Sequence, residues 1–441
     1  MLELRPYQTQ VVAEIVDAFN AGCPSVCAVV PTGGGKTTLA VEMCRRTLAR
    51  GGEAIWLAHR HELIDQARAT LAQGGAAGTE VFTIQALAER AQLPTQRKLV
   101  VADEAHTVAM AAGWQDVVKR LEPQRLLGLT ATPSRGDGAG LGAMFQRLVL
   151  GPTTKTLTDM GHLVPLEVFA PSAPLRSGTI AMHPLDAYKE FAGGGKAVVF
   201  APNLRAAAVW AAEFNQKHIP ADVIEGELGL ARRRDMIESF RAGRLRVLVN
   251  VAILTEGFDL PDLACVIIAR TVGHPGLLVQ MTGRGLRGSP GKRSATLCDL
   301  QGNIHLHGRP DEDFEFQLHG RGMRAKSLIA AERYCLICGV VIEEADGAVC
   351  DFCGYERPEL KIPRSAARKL LRWQAVKKIP DDKRVRMLAR WIREGKAKGW
   401  KPGAPYARYR GMFGHPPPQE IILLAQAAAK LDVSRETFHE G

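Results

Sequence analysis

The stretch Pro31-Thr32-Gly33-Gly34-Gly35-Lys36-Thr37 constrains the fold more than any other part of this chain. It joins an apolar, β-branched run, Val26–Val30, to a helical run that begins near Thr37. A glycine-rich turn between a buried strand and a helix lets successive backbone N–H groups face inward around phosphate oxygens. The helix N-terminus adds the positive end of its dipole. In that setting Lys36 is placed for β- and γ-phosphates and Thr37 for a magnesium ion. Thr32, Gly33, Gly34, Gly35 and Thr38 complete the expected cradle. The general pattern opens on a glycine where this chain has Val30. A second string, Gly193-Gly194-Gly195-Lys196, precedes a strand, is followed by Ala197 and Val198, and reads as a plain turn.

Around this loop, short β-rich runs alternate with helical ones. Ala54–Ala58, Leu99–Ala102 and Leu126–Leu129 read as strands, and a helix is expected from about Glu62. Such alternation predicts a parallel sheet covered by helices on both faces. The pattern breaks near Ala170–Gly178, which reads as a hinge. It resumes with Ala197–Phe200, Val247–Val249 and Val266–Ile268 as strands of a second, similar sheet. The expected organisation is α/β, with one lobe over 1–168 and another over 180–325. A small cysteine module over 330–360 and a basic, mainly helical extension over 361–441 follow.

Val100-Val101-Ala102-Asp103-Glu104-Ala105-His106 places two carboxylates at the end of a strand, the edge where parallel sheets bind ligands. Asp103 is expected to hold magnesium. Glu104 is expected to orient and deprotonate an attacking water. With both boxes in order, the chain resembles a superfamily 2 helicase. Leu4-Arg5-Pro6-Tyr7-Gln8 resembles the adenine-reading Q motif, which implies that Arg5 and Gln8 meet the base. Ala58–Leu63 resembles motif Ia and Thr83-Ile84-Gln85 motif Ib. Thr130-Ala131-Thr132 resembles motif III, which in the family couples hydrolysis to strand movement. Phe200–Asn203 resembles motif IV, Leu254–Asp259 motif V and Gln280–Arg287 motif VI. The resemblance implies nucleic-acid contacts at Arg60, Thr83, Gln85 and Asn203, and nucleotide contacts at Gly257 and Asp259. It implies two RecA-like lobes that hydrolyse ATP between them. Gln280, Arg284 and Arg287 fall at helical spacing, near one face. Arginines brought from the second lobe neutralise charge on the γ-phosphate, an effect worth roughly 10³- to 10⁵-fold in rate. They reach it only when the lobes close, and that cycle is the motor stroke.

Cys335-x-x-Cys338 and Cys350-x-x-Cys353 stand eleven residues apart. Four thiolates in two knuckles suit a closed, structural Zn²⁺ site, and disulfides are the weaker reading in a cytoplasmic chain. Cys23, Cys27, Cys44, Cys265 and Cys298 are expected to be reduced core residues. His305 and His307 are read as surface or interface residues rather than metal ligands. The start of the chain lacks the basic and apolar segments of a signal peptide, and no apolar run is long enough to span a membrane. A cytoplasmic protein without membrane contact is expected.

The formal charge is +11. Arg321–Arg410 holds 22 Lys and Arg against 10 Asp and Glu, so this segment carries the whole excess. A basic segment on a nearly neutral body is the footprint of a polyanion partner. Trp373, Trp391, Trp400, Tyr406 and Tyr409 interleave with these charges. They read either as faces on which bases stack or as the core of a helical subdomain. The cysteine quartet behind motif VI, with Asp299–His305 and Gly399–Gly403, is similar to RadD-like helicases of bacteria and phages. That resemblance implies a DNA motor of repair, recombination or replication, acting on single-stranded, forked or branched DNA beside single-strand-binding or recombination proteins. An ATP-gated DNA-binding accessory factor and an RNA helicase are the alternatives left open.

Overall fold

The computed structural model describes residues 3–58, 62–90, 98–109, 113–171, 174–175, 178–226, 228–251, 260, 262–320, 322–325, 370–372, 388–392, 394–395, 398–399, 401, 403–413, 417, 422 and 425–426. Contacts divide the chain into two compact units. One comprises Met1–Ala325 with Arg364–Arg372; the other comprises Lys326–Pro363 with Trp373–Gly441.

The first unit holds two parallel sheets. The first lobe has helices α1 (Pro6–Asn20), α2 (Lys36–Ala49), α3 (Glu62–Gln73), α4 (Ile84–Ala88), α5 (Ala105–Val108) and α6 (Trp114–Leu121). Its strands are β1 (Ser25–Val29), β2 (Ala54–Ala58), β3 (Glu80–Thr83), β4 (Leu99–Asp103), β5 (Leu126–Thr130) and β6 (Arg147–Leu150). They lie in the order β3-β2-β4-β5-β1-β6, all parallel. Strands β1, β2 and β5 are buried along their whole length, because helices cover both faces of a parallel sheet. One face packs Val26, Trp56, Val101 and Leu127 with α1 and α2. The other packs Ile55, Leu57, Val100, Trp114 and Phe145. Gly128 lies in the middle of β5, where a Cβ would sit 2.4 Å from the Phe145 ring.

Helix α7 (Thr154–Asp159) leads to the second lobe, which contains β7 (Leu166–Ala170), α8 (Pro184–Phe191), β8 (Lys196–Phe200), α9 (Leu204–Gln216), β9 (Ala221–Ile224), α10 (Leu230–Arg241), β10 (Val247–Asn250), β11 (Leu263–Ile268), α11 (Pro275–Gly283), β12 (Ala295–Asp299) and α12 (Ile304–His307). Its sheet runs β7-β12-β11-β8-β10-β9 in parallel. After the hairpin β13 (Phe314–Phe316) and β14 (Met323–Ala325), a late strand, β15 (Leu371–Arg372), pairs antiparallel with the edge of β7. The second sheet therefore begins before residue 168, and β7 ends inside the stretch read as a hinge. Gly193 and Gly194 form a turn with positive φ, and Lys196 opens β8 with its ammonium on the Arg241 carbonyl and Asp262. The five single cysteines are free, four of them buried.

In the second unit, α13 (Ala404–Phe413) packs with short helical turns around Leu388, Trp391, Ile392, Tyr406, Tyr409 and Ile422. Trp391, Tyr406 and Tyr409 are core, which decides for them against base stacking; Trp373 and Trp400 lie outside the described residues. Arg408 covers the Trp391 ring from outside and pairs with Glu394. Among the described residues no helix is long and apolar enough to cross a membrane.

Candidate nucleotide site between the two lobes

Strands β1, β4 and β5 are adjacent and parallel, so the loops at their carboxyl ends converge. The first is the glycine loop. Val30 N–H donates to the Thr130 carbonyl, carrying the ladder past the end of β1. Gly33 and Gly35 have φ of 84° and 81°, the region where side chains other than glycine are strained. Gly35 caps α2 and Lys36 is its first residue. A Cβ on Gly34 would lie 2.6 Å from Val30 Cγ1, and one on Gly35 2.2 Å from the Gln8 amide nitrogen. These are places that accept backbone and no side chain, as a phosphate cradle requires. Thr37 and Thr38 follow in the first turn of α2, half-buried.

Helix α1 brings Arg5, Tyr7 and Gln8 onto the same loop. The Tyr7 hydroxyl donates to the Gly34 carbonyl at 2.9 Å, and Gln8 Nε2 does so at 3.4 Å. Gln8 Oε1 accepts from the Arg5 N–H at 2.9 Å. One donor and one acceptor direction of the Gln8 amide remain for a base. Arg5 Nη1 donates to the Tyr7 hydroxyl, and the Tyr7 ring lies against His162.

The acidic box sits two strands along the sheet, on β4, with β5 between it and β1. Glu104 has φ 47° and ψ 56°, a left-handed conformation in a residue other than glycine. Such strain costs about 1–3 kcal/mol and persists where surrounding structure holds it. The Glu104 N–H donates to Asp103 Oδ1. Glu104 Oε1 stands 3.9 Å from Lys36 Nζ, and its Oε2 3.5 Å from His106 Nδ1. His106 is buried and its Nδ1 meets the Thr130 hydroxyl at 2.9 Å. That hydroxyl takes the Thr132 N–H and donates to the Thr132 carbonyl. The third loop is thus folded around the second.

The other lobe answers with α11. Gln280 Nε2 donates to the Thr132 hydroxyl at 2.7 Å and lies 2.6 Å from His106 Nε2. A donating amide there fixes His106 as the Nδ1–H tautomer. Gln280 is therefore spent on the acidic box and third loop. At the end of α11 a Cβ on Gly283 would lie 3.0 Å from Thr32, so the helix terminus rests on the glycine loop. Arg284 is buried. Burial lowers the pKa of the Arg287 guanidinium while the Glu104 carboxylate raises it again, so the two charges feel each other across the cleft.

The structure thus brings together Arg5, Gln8, Thr32–Thr38, Asp103, Glu104, Gln280, Arg284 and Arg287. Thr83 is buried and its hydroxyl caps α4, while Gln85 is exposed. Asn203 is exposed and caps α9. Arg60, Gly257, Asp259 and the four cysteines Cys335, Cys338, Cys350 and Cys353 lie outside the described residues, and no metal-binding cluster occurs among the described ones. His305 and His307, both half-buried, hydrogen-bond to the Pro171 and Val272 carbonyls within the second lobe. Sequence reading gave His106 no role, although it closes the acidic string. It also passed over Leu163, whose side chain packs on Gly33 and whose backbone pairs with Arg287.

Two family models match the chain. "Type III restriction enzyme, res subunit" covers residues 1–80 and 75–135, and "Helicase conserved C-terminal domain" covers 182–289. A 51.5 kDa protein of a Lactococcus phage is 26% identical over 350 residues, 74% of this chain and 77% of its own. Schizosaccharomyces pombe irc3, named as a mitochondrial ATP-dependent helicase, is 28% identical over 362 residues, 70% of this chain and 59% of its own. A Halobacterium salinarum protein named as DNA 3'-5' helicase Rad25 is 28% identical over 66% of this chain and 53% of its own. The chain thus spans less than two thirds of these last two relatives. Among solved structures, a fragment named as the HsdR subunit of a type I restriction enzyme from Vibrio vulnificus superposes with a TM-score of 0.54 at 18% identity, over 70% of this chain and 66% of that one. The restriction-modification enzyme LlaBIII bound to DNA gives 0.51 at 14% identity, over 68% and 28%. The matches of the res-subunit model to the first lobe and of the helicase C-terminal model to the second agree with the motifs that face each other across the cleft, and the chain belongs to the superfamily 2 helicases, ATP-hydrolysing enzymes.

Proposed function

We propose that this enzyme is a DNA-dependent motor that translocates on or unwinds DNA. The observation that carries the reading is Gln280, which ties the motif VI helix of the second lobe to His106 and Thr132 of the first. A change at the acidic box is felt at once by the helix that bears the arginines. The loop Gly33–Gly35 and Lys36 bind the phosphates of ATP, and Arg5 and Gln8 read the base. Thr37 and Asp103 would hold magnesium, which would supply positive charge at the phosphates. Glu104 takes the proton of the attacking water. Lys36 leaves Glu104 for the phosphates, which frees that carboxylate for its task. Arg284 and Arg287 stabilise the charge that develops on the γ-phosphate.

The basic segment Arg321–Arg410 and the DNA named for the archaeal relative and for LlaBIII support DNA as the track. Gln85, Asn203 and Arg60 are assigned to its backbone, and Gly257 and Asp259 to the nucleotide. The cysteine spacing supports one structural zinc, held by Cys335, Cys338, Cys350 and Cys353. Work in repair or recombination, on single-stranded, forked or branched DNA in the cytoplasm, completes the assignment.

The test is the ATPase rate with single-stranded, duplex and forked DNA and with RNA, at two salt concentrations. Stimulation by DNA that weakens with salt is expected. Stimulation by RNA alone overturns the choice of track, and none by any polymer overturns the motor in favour of a partner-activated accessory factor. Metal analysis of the same preparation is expected to find zinc at one per chain, and its absence removes the zinc assignment.

A further inference from the structure

The turn that carries Arg284 and Arg287 ends α11, where carbonyls run out of partners within the helix. Those of Gly285, Leu286 and Arg287 are each taken from outside it. The Lys292 ammonium donates to the Gly285 carbonyl at 2.6 Å and to the Arg287 carbonyl at 2.9 Å. The Leu286 carbonyl between them accepts the Val164 N–H at 2.9 Å, from the segment that connects the lobes. Leu163 pairs in antiparallel register with Arg287 and packs on Gly33 of the phosphate loop. Lys292 is itself fixed by its N–H on the Ser289 carbonyl in a turn completed by Gly291 at φ 81°.

We propose that Lys292 is a positioning residue for ATP hydrolysis, clamping the Gly285–Arg287 turn so that the motif VI arginines meet the γ-phosphate in register. The inference rests on the assignment of Arg284 and Arg287 to that phosphate. The Lys292 chain is half-buried beneath the turn and makes no contact with the phosphate loop in the bonds just described. Its influence passes through the backbone it holds. Burial pushes the ammonium down to about 8, with the Asp262 carboxylate drawing it back up. A charge kept in such a place at neutral pH has its donors spent on carbonyls, where charge-assisted hydrogen bonds are the strong ones. The turn sits on the glycine loop at Thr32, so a shift of the turn moves the guanidinium groups directly against the bound nucleotide.

The experiment compares Lys292→Met, Lys292→Arg, Arg284→Ala and Arg287→Ala in the full chain, by kcat and KM for ATP and by melting temperature. Misplacement by about 1 Å costs on the order of 100-fold. Lys292→Met is therefore expected to lower kcat by roughly 10- to 100-fold with KM within about threefold. Lys292→Arg, which also donates to two carbonyls, is expected to restore most of kcat. Lys292→Met with wild-type kcat, beside arginine variants that have lost turnover, overturns the positioning role alone. Full turnover in both arginine variants overturns the phosphate assignment beneath it. If Lys292→Met does not fold, Lys292→Ala takes its place. Failure of both to fold, or a fall in melting temperature with kcat and KM changing together and no rescue by arginine, makes Lys292 purely structural and overturns the proposal.

Discussion

At the scale of single residues, the cleft is organised by side chains far apart in sequence, Gln280 meeting Thr132 and His106 across 148 and 174 residues. Lys36, Asp103 and Glu104 are legible from sequence because their chemistry follows from where a strand ends. Gln280 is legible as part of a motif, and its neighbours are not. Its partners His106 and Thr132 belong to the other lobe, and nothing local to Gln280 announces them. Gln280→Ala leaves His106 Nε2 and the Thr132 hydroxyl without that donor in a buried site, a loss of about 1–3 kcal/mol. The phosphate loop and Lys36 are untouched. ATP affinity is therefore expected to stay within a few-fold while turnover falls roughly tenfold or more, since an interaction between the lobes is made only when they meet. Single-turnover hydrolysis with fluorescent-nucleotide binding separates the two quantities. A variant that loses affinity and keeps its turnover would contradict the coupling role.

At the scale of elements, α11 depends on a histidine. His274 is its N-cap residue, and Nδ1 accepts the Leu277 N–H at 3.3 Å. Burial lowers the His274 pKa, and His106 and His307 push in the same direction while Asp137 opposes them. Protonation turns the acceptor into a donor and sets a positive charge at the positive end of a helix dipole. The folded value lies below the unfolded one of about 6.5, so the folded state takes up its proton later. The stability it contributes is present above about pH 6.5 and is lost as pH falls through the folded value. Melting temperature is expected to decline between roughly pH 7 and 5, and His274→Asn, which keeps a cap, to decline less steeply. His307 is lowered by burial too, so part of the slope remains. Equal slopes in both proteins would remove His274 from the account. Elements were legible where burial is two-sided. Ala54–Ala58 is one apolar run, and it is a strand over those same residues. Glu80–Thr83 and Ala221–Ile224 are short, end their sheets and mix polar with apolar positions, so their period is weak. Pro165 and Pro171 flank strand β7 and hide it, so that the sequence places 166–168 at the end of the first lobe and Ala170 in the hinge. The aromatic residues of the basic tail fit two readings, because periodicity does not distinguish a buried ring from a stacking one; Tyr409 is fully buried.

At the scale of the two-lobed unit, α11 is one link among several between the lobes; Arg234 of α10 also pairs with Asp65 of α3 at 3.4 Å. Another link is backbone. The hairpin of β13 and β14, which follows the second sheet, lies on the first-lobe loop just beyond Thr132. Gly140 N–H donates to the Gly320 carbonyl, Gly142 N–H to that of Leu318, and Gly322 N–H to that of Gly138. The same loop closes on itself through a bridge from Ser134 to Gly140. The approach is so close that a Cβ on Gly140 would stand 2.2 Å from the Leu318 carbonyl oxygen, and one on Gly322 2.5 Å from that of Pro133. Backbone cannot yield as a flexible side chain does, so Gly140→Val must lift the hairpin away. Overpacking of this kind costs about 1–3 kcal/mol. At about 1.4 kcal/mol per tenfold, amide exchange at Gly142 and Gly322 is expected to accelerate by roughly 5- to 150-fold. The strands β1, β4 and β5 should keep their protection, because their core lies on the far side of the loop in buried sheet. With the hairpin lifted, α11 is what joins the third loop to the second lobe among the described residues. The entropy of bringing the lobes together is then met at each ATP binding instead of once on folding, so KM for ATP is expected to rise while the chemistry at Glu104 is unchanged. Exchange at Gly142 and Gly322 that is as slow in Gly140→Val as in the parent chain would mean that the hairpin does not hold the lobes, and the coupling at the third loop would pass to Gln280.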